Sequence, residues 1–276
     1  MNTQVHGTTA QFPGYTWKDA VSRLQEGVQE DFGRLSLTHI QLCPQSPSIA
    51  DEQTLTELKE TYPQTQFRLH ANVRSADGLQ KWDASTYNQK THHYFVHLGT
   101  MSKLINAPAY SLHAGRKQHA DHQKMLDNIN KIQELFSCPV LVEGMYPSNH
   151  ENWLISSWKD YRWLLESGLY FAIDLSHINI LVRQYKHFDQ GLLKALLLSE
   201  RCLEIHLSHN LGNQDAHRPL QKNVLSKSCW FEVWKECLQK GAFISCIFSQ
   251  SAWMKGLSVI SLELAALRLL AEDWLQ

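Results

Sequence analysis

Tyr170–Asn179 reads YFAIDLSHIN and Leu203–Asn210 reads LEIHLSHN. Both stretches begin as short apolar runs, the pattern of a buried strand. Both then deliver polar groups at the carboxyl end: Asp174 with His177 three residues on, and His206 with His209 just beyond. Moving toward the N-terminus, the same design repeats. FRLHAN ends in His70, AYSLHAG in His113 and PVLVEG in Glu143. On the C-terminal side the loop GNQDAHRPL carries Asp215 and His217.

These runs belong to a longer alternation. Strands are expected over Gln4–Gly7, Leu37–Leu42, Gln66–Ala71, Ala109–His113, Val140–Glu143, Leu169–Asp174, Cys202–Leu207 and Ala242–Phe248. Helical patterns lie between them, near residues 17–28, 51–61, 87–105, 120–136, 153–166, 188–199, 228–239 and 257–273. Ser167–Gly168 and Lys240–Gly241 stand where a helix stops before the next strand. Eight strand–helix units in 276 residues predict an α/β chain folded as one (β/α)8 (TIM) barrel over residues 1–276. A doubly wound nucleotide fold loses ground, because no GxGxxG or Walker-type loop follows a strand.

In such a barrel the carboxyl ends of the strands converge on one mouth. Five successive strands therefore bring imidazoles or carboxylates to one place. A single histidine at a strand end is more often a hydrogen-bonded rim residue than a ligand. Five strands in a row make a different case, because buried carboxylates need a counter-charge. A divalent metal supplies it. His70, His113, Glu143, Asp174, His177, His206, Asp215 and His217 form a donor set of imidazole and carboxylate without thiolate, suited to zinc, iron or manganese.

Composition narrows the partners. The formal net charge is −1 and no block of lysine or arginine stands out, whereas a nucleic-acid binder neutralises phosphates with a basic excess. A small-molecule substrate is expected, a peptide partner is the next choice, and nucleic acid and membrane are not. The six cysteines are scattered and form no CxxC pair, as in reduced cytoplasmic proteins. The N-terminus MNTQVHGTTAQFPGY is polar and lacks a signal-peptide core, and no apolar run approaches bilayer-spanning length. His92, His93, His119, His122, His150 and His187 fall on helical or loop stretches and read as surface residues, whereas His6 and His39 sit in the first two strands. Trp153, Trp158, Trp163, Trp230 and Trp234 read as packing residues, and Trp82 and Tyr146 as pocket walls.

The ordered set QVHGTTAQFPGYTWKDAV, THIQLCPQSP, RLHAN, SLHAG, LVEG, IDLSH, EIHLSHN and DAHRPL resembles the xylose isomerase-like TIM-barrel superfamily, most closely the endonuclease IV (family-2 apurinic endonuclease) layout. The resemblance implies three zinc ions. One would be held by His70, His113 and Glu143, a second by Glu143, Asp174 and His206 with Glu143 bridging, and a third by His177, Asp215 and His217. A metal-activated water would be the nucleophile.

The pattern departs at the eighth strand. The family places a glutamate ligand there, but Gly241–Trp253 (GAFISCIFSQSAW) contains no carboxylate, and Ser249 and Gln250 are the nearest polar substitutes. Isomerases and epimerases of the superfamily use one metal, and the epimerases use two glutamates as bases, so this loss counts against them. Abasic-site repair needs basic and intercalating loops, and Arg74, Arg116, Lys117 and Arg218 do not make a DNA track. Multinuclear iron oxygenases acting on peptides share a similar ligand order, and a degenerate non-catalytic barrel is the remaining alternative. The expectation is a metal-dependent, hydrolase-type enzyme with two or three divalent ions and a small polar or phosphorylated substrate. Glu143, His177 and Asp215 would carry catalysis, and Arg116 and Arg218 would grip an anionic group.

Overall fold

A computed structural model describes residues 4–27, 36–44, 46–79, 82–149, 151–208, 210–216, 228–239 and 245–248. The chain opens with β1 (Gln4–Thr8), α1 (Trp17–Gly27), β2 (Ser36–Leu42), the two-residue β3 (Ile49–Ala50) and α2 (Glu52–Thr61). It continues through β4 (Gln66–Leu69), the two-residue β5 (Arg74–Ser75), α3 (Gln89–Leu104), β6 (Tyr110–His113), α4 (His122–Gln133) and β7 (Val140–Glu143). Then come α5 (Trp158–Glu166), β8 (Tyr170–Asp174), α6 (Leu175–Tyr185), α7 (Gln190–Leu197), β9 (Cys202–Leu207), α8 (Phe231–Gln239) and β10 (Ser245–Phe248).

Eight strands form one sheet in the order β4-β2-β1-β10-β9-β8-β7-β6, and every adjacent pair is parallel. The two ends of that order meet. His70, just past β4, makes a parallel bridge to Ser111 of β6, and the Ala71 amide donates to the Ser111 carbonyl at 2.7 Å. The sheet is thus closed on itself as a (β/α)8 barrel. The pair β3–β5 forms a small separate ribbon.

Strand alternation divides the side chains between two environments. Leu112, Val142, Phe171, Ile173, Ile205 and Leu207 join the continuous apolar cluster packed with the helices. Their neighbours Leu141 and Ala172 are as fully buried yet lie outside that cluster, on the barrel's inner side. The inner positions also hold Arg68, Ser111, Glu143 and Glu204, all buried.

The helices start on side-chain caps. Asp51 accepts from Thr54 N, Asp121 from Lys124 N, Ser157 from Asp160 N and Asp189 from Leu192 N, and Asn88 and Thr91 form a reciprocal box. Each such cap contributes about 1 kcal/mol. The expected elements are present wherever residues are described, with two differences. The helix placed near 153–166 begins five residues later, at Trp158, because Trp153 pairs instead with Arg116 in an antiparallel bridge. The stretch after Asp174 was also expected to hold no helix. It is α6, capped by Asp174 itself, with Leu175, Ile178 and Leu181 on its buried side. The helix expected over 257–273 lies outside the described residues.

Candidate metal centre

Each donor comes from a strand end or the turn that follows it. Glu143 ends β7 and stands in register with His113 at the end of β6. Asp174 ends β8 in register with His206 on β9. His70 follows β4, and His177 sits in the first turn of α6. These six, with Asp215 from the loop after β9, line one cavity of about 190 Å³. His209, His217, Arg218, Ser249 and Gln250 lie outside the described residues.

Glu143 is at the centre. Its Oε2 is 2.9 Å from His70 Nε2 and 3.5 Å from His113 Nε2, while its Oε1 is 3.4 Å from His206 Nδ1. His177 Nε2 is 3.3 Å from Asp215 Oδ2 and 3.7 Å from Asp174 Oδ2. Two donors on one tetrahedral ion, with bonds of about 2.0–2.1 Å, stand roughly 3.3 Å apart. Most of these spacings match that edge, so the residues fit a divalent ion. The compact trios His70–Glu143–His206 and Glu143–Asp174–His177 both contain Glu143, as a bridging carboxylate requires.

Ring orientation supports the same reading. His70 Nδ1 lies 3.0 Å from the Ala71 carbonyl, and His177 Nδ1 lies 2.8 Å from the Gly144 carbonyl. A carbonyl only accepts, so Nδ1 carries the proton and Nε2 offers its lone pair to the cavity. Gly144 is needed for this approach, since a Cβ there would stand 2.4 Å from the Tyr161 ring. Tyr161 in turn donates to the Met145 carbonyl and fixes the turn.

The electrostatics show a site that attracts positive charge. Burial opposes a charged His177 ring, but Asp174, Asp215 and Glu143 overcome it and raise its pKa to about 10. His206 is likewise raised, against burial, by Glu143 and Glu204. Glu143 is held well below the carboxylate range, the imidazoles of His206 and His113 outweighing burial. His113 goes the other way, to about 4, because burial and the imidazoles of His70 and His177 disfavour its charged form more than Glu143 favours it.

Below the donors lies a polar layer that the sequence reading left out. Arg68, Ser111 and Glu204 stand two residues before His70, His113 and His206, and a period of two puts them on the same barrel-inward side. Arg68 Nη1 meets Glu204 Oε1 at 2.8 Å, and Gln41 from β2 joins them. A lone arginine and a lone glutamate inside the otherwise apolar runs FRLH and LEIH were the available signal.

The cavity walls are aromatic and apolar, with Met145, Tyr146, Trp153, Ala10 and Pro44 above the donors. The Tyr146 ring lies 4.7 Å from that of His177. Trp153 is a wall as well as a packing residue, whereas Trp82 packs against the core and is not part of the lining. His6 and His39 meet edge to face at 4.5 Å and do not line the cavity. Arg116 lies outside the lining, with its guanidinium on Glu151 (2.5 and 3.1 Å) and 4.8 Å over the Trp153 ring.

No family model matches the chain, and no curated protein matches it in sequence. Solved structures do match it in fold. A xylose isomerase domain protein from Alicyclobacillus acidocaldarius superposes with a TM-score of 0.64 at 10% identity, over 98% of this chain and all of its own. A D-tagatose 3-epimerase-like protein matches at 0.63 and 12% identity, over 99% of this chain and 98% of its own. Endonuclease IV from Thermus thermophilus matches at 0.60 and 16% identity, over 99% of this chain and all of its own. The protein thus has the xylose isomerase-like TIM-barrel fold, the one its sequence resembles, and endonuclease IV is among the barrels that share it.

Proposed function

We propose that the chain is a metal-dependent enzyme of hydrolase type, holding two or three divalent ions, with zinc the best match to the donors and iron or manganese compatible. The observation that carries this reading is the division of Glu143: each carboxylate oxygen faces its own imidazoles at coordination-edge spacing. Ions held there would polarise a substrate oxygen and acidify a water.

The chain's own groups divide the remaining work. His70 and His113 share Oε2 of Glu143, His206 faces its Oε1, and Asp174 joins Glu143 and His177 in a second compact trio. His177 and Asp215 face each other at 3.3 Å. Asp215, whose side chain is 14% exposed, is the most open carboxylate of the set, and its Oδ2 is the acceptor placed for a proton leaving an attacking water. Tyr146 and Trp153 exclude solvent from the donors and offer a flat apolar surface. Arg116 steadies Trp153 through its ring contact while Glu151 offsets its charge, so an anionic substrate group would depend mainly on the ions. The cavity is small beside the roughly 300–1,000 Å³ of common ligand sites, which favours a small substrate, or the end of a peptide, over a nucleic-acid strand.

Turnover of small phosphate esters and amides by zinc-loaded and iron-loaded protein, with and without oxygen, tests this function. Oxygen-independent hydrolysis that a chelator abolishes is the expected result. Activity only with iron and oxygen would replace hydrolysis with oxygenation.

A further inference from the structure

The Glu204 side chain has no solvent exposure, and it is fully partnered. Oε1 accepts from Arg68 Nη1 at 2.8 Å. Oε2 accepts from Ser111 Oγ at 3.1 Å and from Gln41 Nε2 at 3.3 Å, and lies 3.1 Å from His206 Nε2. Those donors come from β4, β6, β2 and β9, four different strands of the ring. Such convergence at the barrel axis holds the carboxylate rigidly, with Arg68 donating to one oxygen and Gln41 to the other.

The consequence falls on His206. An ionised carboxylate only accepts hydrogen bonds, so the contact at Nε2 requires the proton there, and the neutral ring then carries its lone pair on Nδ1. Nδ1 is the atom that faces Glu143 Oε1 at 3.4 Å. His70 and His177 have the opposite tautomer, each set by a backbone carbonyl. His206 is the donor whose orientation rests on a side chain, and on a charged one. The strand beside it, β10, pairs Ile247 with His206 and contributes no carboxylate.

We propose that Glu204, anchored by Arg68, is a positioning residue that fixes His206 with Nε2–H inward and the Nδ1 lone pair directed at the metal position beside Glu143. This rests on the metal-centre reading. It makes the buried ion pair part of the site, supplying from below the carboxylate influence that β10 lacks. A carboxylate behind a ligating imidazole raises its basicity and fixes its ring, and losing such a partner lowers metal affinity about 10–100-fold.

Glu204→Gln tests this at nearly constant volume. Arg68 demands the amide oxygen, which turns the amide NH2 toward His206 Nε2 and forces the proton to Nδ1. Two measurements follow on the full chain: long-range ¹H–¹⁵N NMR of the histidine rings with zinc bound, when the ring is neutral and holds one proton, and zinc titration against a chelator of known affinity. Wild type should show His206 protonated at Nε2. Glu204→Gln should show the Nδ1–H tautomer and one zinc site weakened about 10–100-fold, the others unchanged. If Glu204→Gln fails to fold, the double variant Arg68→Met/Glu204→Leu replaces the pair by apolar groups, an exchange barrels and cores tolerate, and should show the same single weakened site. An unchanged tautomer, or zinc affinity within twofold of wild type at every site, overturns the proposal while leaving the metal centre intact. A wild type that takes up no zinc overturns the metal-centre reading and this one with it.

Discussion

Glu143 faces imidazoles on both of its oxygens, and the consequences of removing it differ from those of removing any one histidine. Glu143→Ala should lower bound metal by two equivalents and His113→Ala by one, as counted by native mass spectrometry. Equal losses from both variants would mean that Glu143 does not bridge. Protons compete with metal at the same atoms. His177 has its pKa raised from 6.5 to about 10. In the metal-free protein its contribution to stability is therefore fully present below about pH 6.5 and is lost as pH rises through about 10. Glu204 is lowered to about 2, with Arg68 and the His206 ring outweighing burial. Its contribution is present above the ordinary carboxylate value and is lost as pH falls through about 2. Urea unfolding of chelator-treated protein should show stability declining from pH 7 to 10, while the stabilisation by added zinc grows over the same range. A flat apo profile would argue against the His177–Asp174–Asp215 contacts. The strand-end donors were legible at this scale because each closes an apolar run. Arg68 and Glu204 stood out as lone charges within apolar strands, but a single charge there carries no sign of which neighbours it will meet across the barrel, and Trp153 lies in the β7–α5 connection, where no periodicity places it.

The junction of β8 and α6 shows how one residue serves two purposes. Asp174 Oδ1 caps α6, accepting from Ser176 N at 2.6 Å and His177 N at 3.4 Å, and Oδ2 turns toward His177 Nε2. Asp174→Asn keeps an acceptor for the cap and loses the charge; Asp174→Ala loses both. Both lose the attraction to the His177 ring, so thermal melts without metal should place both below wild type, with Ala lower than Asn by about 0.5–2 kcal/mol, and zinc uptake should fall in both. A cost as large for Asn as for Ala would show that the cap is not what Asp174 contributes to the fold. Gly144→Ala should destabilise by about 1–3 kcal/mol, because the new methyl meets the Tyr161 ring, and should also weaken metal binding through His177. Thermal melts read the first effect and zinc titration the second. α6 itself was hidden in the sequence. LSHINILV follows the strand's end at Asp174 with the same apolar composition, which masks the helical spacing of Leu175, Ile178 and Leu181.

At the scale of the whole molecule, the parallel order of eight strands and the bridge from His70 to Ser111 bring donors distant in sequence to one cavity. The barrel was readable because strand–helix alternation, rather than any single element, specifies it. The small β3–β5 ribbon was not readable, since two-residue strands leave no periodicity. No helix among the described residues is long and apolar enough to cross a membrane. Donors from so many strands would have a global consequence: ions held by residues on or just after β4, β6, β7, β8 and β9 would tie much of the ring together. Zinc at about 100 times its Kd should add about 2.7 kcal/mol to the unfolding free energy. Whether this barrel mouth is a multinuclear metal centre is tested by the metal content of protein purified without added metal, measured by elemental analysis alongside Glu143→Ala. Two or three equivalents of divalent metal are expected in the wild type, and a loss of two in the variant. Wild-type protein with no stoichiometric metal, and no thermal shift on adding zinc, iron or manganese, would contradict a metal centre here.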